Sequence, residues 1–163
     1  MITESGDARF AIDQFGRWIA NADTKAGLLA AALVIMGGAL GDQSRVVGHR
    51  LPPTSFADWI SLVALLAATG AIVTSIGFLV GVVSPRLEQP DGFSRYSFPS
   101  VADAPIAELV RVDGGSDREH GWRTASVLAS IACRKFRCLR RAFAWWVVAG
   151  SAFVVLALVD FGR

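Results

Sequence analysis

Residues 59 to 84 are 26 consecutive positions without a charge. As a helix rising about 1.5 Å per residue, the run is roughly 39 Å long, enough to cross a hydrocarbon core of about 30 Å with some tilt. Residues 142–159 form a second run of 18 positions, and residues 26–41 a third of 16. These correspond to roughly 27 Å and 24 Å of helix, and Lys25 is placed to snorkel over the deficit of the shorter one. A buried helix of a soluble domain rarely runs 26 residues without a charge, which sets a soluble bundle aside. A cleaved leader ending near Ala39–Gly41 fits poorly, because Glu4, Asp7, Asp13 and Asp23 make the preceding segment long and acidic for a leader's basic start.

The expectation is therefore an all-α integral membrane protein with three transmembrane helices, the first and third extended by cytosolic helices. Composition agrees. Hydrophobic residues make up 53% and charged residues 18%, against roughly 25% charged in soluble domains, and the mean hydropathy is +0.45. The order reads as an N-terminal cytosolic helix (1–25), a first span (26–41), a second span (59–84), a cytosolic loop and basic helix (85–141), and a third span (142–159). An outer loop is expected over 42–57, where Pro52 and Pro53 sit. Pro85 should end the second helix. Gly114–Gly115 reads as a turn within a loop over 86–119, with one short helix near Ala104–Val112. A helix resumes from about Asp117.

With three spans, the N-terminus and the 85–141 segment share one side, which holds thirteen of the sixteen basic residues. The positive-inside rule places that side in the cytosol and the C-terminus outside. Trp18 and the Trp145–Trp146 pair read as interfacial anchors. Asp13 and Arg17, four apart on a helix, are spaced to pair.

Nothing in the residues argues for an enzyme. No catalytic triad order, zinc spacing, phosphate-binding loop or dinucleotide fingerprint occurs, so no cofactor is expected. The carboxylates are scattered singly. Cys133 and Cys138 are five apart, which suits neither a redox pair nor a metal site, and on a cytosolic helix they read as free thiols. His49 and His120 fall on opposite sides of the membrane and cannot share a metal.

The dense constellation is Arg134, Lys135, Arg137, Arg140 and Arg141, five cations in eight residues with no acid. Beside a bilayer such a cluster suits anionic lipid headgroups, and arginine forks equally match a phosphate-bearing small ligand. Nucleic acid is not expected, since no reading motif accompanies the charge. On a helical wheel Leu128, Ala132, Phe136, Leu139 and Phe143 share an apolar face opposite Arg123, Ser130, Arg134, Arg137 and Arg141. Lys135 falls on the edge of the apolar face, as a snorkelling residue or as a partner for Asp23 or a ligand anion. Small residues form helix-packing stripes: Gly37 and Gly41 in the first span, and Gly70, Thr74, Gly77 and Gly81 in the second. They serve either packing of the three spans or self-association.

Two stretches resemble the transmembrane effectors of bacterial Pycsar antiphage systems. WIANADTKAGLLAA at 18–31 is similar to that family's aromatic residue, Asp-x-Lys-Ala and apolar run, matched by Asp23, Lys25 and Ala26. LASIACRKFRCLRRAF at 128–143 resembles the family's pre-membrane helix, matched by Lys135, Phe136, Leu139, Arg140 and Ala142. The loop at 86–119 is the least similar part. The resemblance implies an effector of the bacterial inner membrane, and a small-residue stripe left for self-association would make it a homo-oligomer. It would sense cCMP or cUMP made by a companion pyrimidine nucleotide cyclase, and impair membrane integrity to cause abortive infection. The ligand set it suggests is Asn21, Asp23, Lys25, Lys135, Arg137 and Arg140, with the basic groups on the phosphate and Asn21 and Asp23 on the ribose or base. The alternative reading is a small membrane scaffold that binds anionic lipid and senses no nucleotide.

Overall fold

The computed structural model describes residues 5–84 and 114–162. These residues are all helical apart from short connections. They form α1 (Ser5–His49), α2 (Phe56–Val83) and α3 (Gly114–Phe161). At about 1.5 Å per residue, α1 with 45 residues and α3 with 48 are each close to 70 Å long, more than twice a hydrocarbon core. All three are apolar enough over a sufficient length to cross a membrane. The fold is thus an all-α, three-span integral membrane fold.

No proline interrupts 5–49, so the polar start of α1 runs unbroken into its apolar part. Two expected boundaries are corrected. The outer loop does not begin at 42: α1 continues to His49, and the connection to α2 is only residues 50–55. Gly114–Gly115 is not an internal turn but the first turn of α3. The expected short helix near Ala104–Val112 lies outside the described residues. At the start of α2, the Ser55 Oγ accepts from the Asp58 backbone N–H at 3.2 Å, and the Asp58 carboxylate accepts from the Ser55 N–H at 2.9 Å. This reciprocal cap satisfies two donors that the helix end leaves open. At the other end α2 stops at Val83, two residues before Pro85, as the steric demand of a proline on its predecessor requires.

The chain divides into two compact units, one comprising Met1–Asp23 and Ser84–Phe136, the other Thr24–Val83 and Arg137–Arg163. In the second unit the core is built from Leu29, Leu33 and Leu40 of α1, Ala64, Ala68, Ala71 and Leu79 of α2, and Ala142, Ala149 and Leu156 of α3. Here α1 and α3 run parallel. A Cβ at Gly150 would meet the Met36 side chain, and Arg50 just past α1 pairs with Asp160 at the end of α3 at 2.6 Å. Much of the outer surface is apolar: Leu28, Val34 and Ile35 are 70–76% exposed. A patch of that kind on a soluble monomer would be a liability, whereas hydrocarbon is its natural solvent. Two hydroxyls on the outer face of α2 are satisfied within the helix: Thr69 donates to the Leu65 carbonyl and Thr74 to the Gly70 carbonyl.

The inward face of every helix follows alternating steps of three and four residues. On α2 it reads Ala57, Ser61, Ala64, Ala68, Ala71, Ser75, Phe78 and Val82. On α3 it runs from Ala125 through Leu128, Ala132, Lys135, Leu139, Ala142, Trp146, Ala149 and Phe153 to Leu156. This is the 3.5-residue seam of coiled-coil packing. It corrects the helical-wheel expectation for α3. Ala132 is buried and Leu128 and Leu139 are half-buried, but Phe136 and Phe143 turn outward, 36% and 54% exposed. A strict 3.6 period drifts away from such a seam by about 20° per heptad.

Candidate functional site

In the first unit the buried positions of both long helices are small residues. Ala8 and Ala22 of α1 and Gly121, Thr124, Ala125 and Ala132 of α3 are buried. Small side chains on both faces let backbones approach closely. The α3 seam then places Lys135 where an apolar residue would ordinarily sit. Its side chain is only 15% exposed, and its ammonium lies 2.5 Å from an Asp23 carboxylate oxygen, with the Asp23 side chain 44% exposed. The pairing joins residues 112 apart in sequence. Lys135 thus pairs with Asp23, one of the roles its sequence position left open.

The remaining candidates are more open. Asn21 and Lys25 are exposed on α1. Lys25 follows Asp23 by two residues, about 200° round the helix, so the two side chains leave it in different directions. Arg137, Arg140 and Arg141, three and four residues apart, share an exposed face of α3. Arg141 lies over the Phe78 ring at 5.8 Å, a cation–π contact. Among the described residues, Lys25, Arg137 and Arg140 form no ion pair. The five-cation run therefore splits physically. Lys135 faces the seam, while Arg137 and Arg140 have no counter-charge among the described residues. Asp13 and Arg17 do not pair with each other.

The glycine stripes are mostly open. A Cβ at Gly37, Gly41, Gly70 or Gly77 would meet nothing within 4 Å, while one at Gly81 would sit 3.5 Å from the Cys138 sulfur. Gly37 and Gly41 line a groove of about 390 Å³ with Leu65, Leu66, Thr69 and Val73 of α2. The residues that pack α2 into its own bundle are instead Ser61, Ala64, Ala68, Ala71 and Ser75. That second small-residue stripe, and the Arg50–Asp160 pair, escaped the sequence reading. The first could have been found by testing a 3.5-residue period as well as counting glycines. Cys133 and Cys138 are free thiols. No group of three or more His, Cys, Asp or Glu that could hold a metal occurs among the described residues.

Neither a curated protein nor a solved structure matches the chain. A family model does, that of the Pycsar effector protein domain, over residues 7–161. The match takes in all three helices and both stretches that carry Asp23, Lys25, Lys135 and Arg140. It agrees with a multi-pass protein of the inner membrane acting in antiviral defence as an effector rather than as an enzyme. The chain belongs to the Pycsar effector family.

Proposed function

We propose that the protein senses a cyclic pyrimidine mononucleotide, cCMP or cUMP, on its cytosolic face and answers by impairing the inner membrane, so that an infected cell stops growing before phage are released. The N-terminus and the 85–141 segment face the cytosol, and the C-terminus lies outside. A companion cyclase supplies the signal. The ligand is read by Asn21, Asp23 and Lys25 of α1 and by Lys135, Arg137 and Arg140 of α3. The cationic groups take the phosphate, and Asn21 and Asp23 hydrogen-bond the ribose or base.

The observation that carries this reading is the membership of the Pycsar effector family, joined to exposed cations that have no ion partner among the described residues on the helix that leads into the third span. A cation cluster already neutralised by acids would have no use for a phosphate. Binding must favour an altered helix packing over the resting one, since a ligand with equal affinity for both states shifts nothing. The open glycines Gly37, Gly41, Gly70 and Gly77, with Thr74 beside them, suit close contact with helices of further copies, which makes the active form a homo-oligomer.

The test is release of a trapped dye from liposomes holding the purified protein. Leakage on adding cCMP or cUMP, lost in Arg137→Glu and Arg140→Glu, supports the reading. An intact membrane with both nucleotides points instead to a lipid-binding scaffold.

A further inference from the structure

Lys135 occupies a seam position of α3, between Ala132 and Leu139, at the level where small residues let α1 come close. A charge there is tolerated only with an anion beside it, because an unpaired buried ammonium is strongly destabilising. Asp23 supplies that anion from α1, 2.5 Å away. Sliding or rotating α3 against α1 would carry Lys135 off its partner and leave it among alanine and leucine. A lone polar residue in a heptad seam sets register in just this manner, at some expense in stability. The pair is also unevenly exposed. Asp23 keeps 44% of its side-chain surface while Lys135 keeps 15%, so the lysine is reached from solution past the carboxylate.

We propose that the Asp23–Lys135 pair is a register lock holding the resting state, and that an anionic ligand opens it by taking the place of the Asp23 carboxylate on Lys135. This rests on the reading of the chain as a ligand-gated effector, and gives Asp23 a task before it meets a ligand. In the resting protein it is the built-in competitor of a phosphate. Once displaced, its carboxylate is free to accept a hydroxyl hydrogen bond. Asp23 is needed for silence without signal, because it keeps the ammonium paired, and Lys135 is needed for response to it. The exposed Arg137 and Arg140 draw the anion in but do not hold the register.

The experiment compares wild type, Asp23→Asn, Lys135→Met, the Asp23→Asn/Lys135→Met double variant and the charge exchange Asp23→Lys/Lys135→Asp, each reconstituted in dye-loaded liposomes. Thermal unfolding in detergent is followed in parallel. Asp23→Asn is expected to leak without nucleotide, to unfold several degrees below wild type and to bind cCMP or cUMP several-fold more tightly. Lys135→Met, which restores an apolar seam, unfolds at or above the wild-type temperature and stays silent with nucleotide. The double variant regains the stability lost in Asp23→Asn, and the charge exchange is silent at rest. Asp23→Asn as quiet and as stable as wild type overturns the lock. So does weaker nucleotide binding by Asp23→Asn, which would make the carboxylate a ligand contact alone. If wild type answers neither nucleotide, the gating reading fails on its own. The unfolding comparison still decides whether the pair sets the register, and a double variant no more stable than Asp23→Asn says it does not.

Discussion

Ser75 of α2 donates its hydroxyl to the backbone carbonyl of Ala142 of α3 at 2.8 Å, and neither residue has any exposed surface. A side-chain to backbone hydrogen bond this deep in a bundle requires two helices in near contact, and alanine and serine are what the seam offers there. Because lipid is as apolar as the side chains, the bundle is held by fit rather than by water exclusion. Removing only the hydroxyl, in Ser75→Ala, is expected to lower stability by about 0.6 kcal/mol, the average for such bonds between membrane helices. Ser75→Leu should be worse, by about 1–3 kcal/mol, because the close approach leaves no room for added carbons. Unfolding in a denaturing detergent series measures both.

The Arg50–Asp160 pair joins the α1–α2 connection to the end of α3, and its side chains are 34% and 23% exposed. Partial exposure screens it, so Arg50→Ala is expected to destabilise by only about 1 kcal/mol. Raising salt should narrow the gap between wild type and variant, since screening weakens the pair in wild type alone. A double-mutant cycle with Asp160→Asn that returns no coupling energy at low salt would show that the pair contributes nothing.

Gly77 and Gly81 lie four residues apart on α2 but differ in what surrounds them. A Cβ at Gly81 meets the Cys138 sulfur at 3.5 Å, and one at Gly77 meets nothing. Gly81→Leu should therefore disturb the monomer and lower its unfolding midpoint. Gly77→Leu should leave the midpoint unchanged but reduce crosslinked oligomers in membranes, if open glycines are where copies meet. Equal crosslinking yields for Gly77→Leu and wild type would remove that role from the stripe.

Cys133 is exposed and Cys138 half-buried against Gly81. If the basic part of α3 faces the cytosol, as proposed, a membrane-impermeant maleimide should label inside-out vesicles and spare intact spheroplasts. Cys133 should react first. Labelling of spheroplasts instead would reverse the orientation.

What a one-dimensional reading can reach here is what the solvent dictates. Hydrocarbon excludes charge, so the uncharged runs at 26–41, 59–84 and 142–159 declare three helices without reference to any neighbour. The same reading identified the five-cation run and saw that Lys135 sat where a charge needs a reason. It could not tell which face of α3 turns inward. Apolar residues surround these helices on every side, so hydrophobicity does not separate lipid from partner, and a 3.5-residue seam differs from a 3.6-residue face by only a small drift per turn. Only the tertiary structure decided that Phe136 and Phe143 face outward, that the alanine and serine stripe of α2 rather than Gly70 and Gly77 packs the bundle, and that Lys135 rests on Asp23. That last choice depends on two side chains 112 residues apart meeting where backbones come close enough to strip water from an ammonium, a property of the packed pair and of neither helix alone.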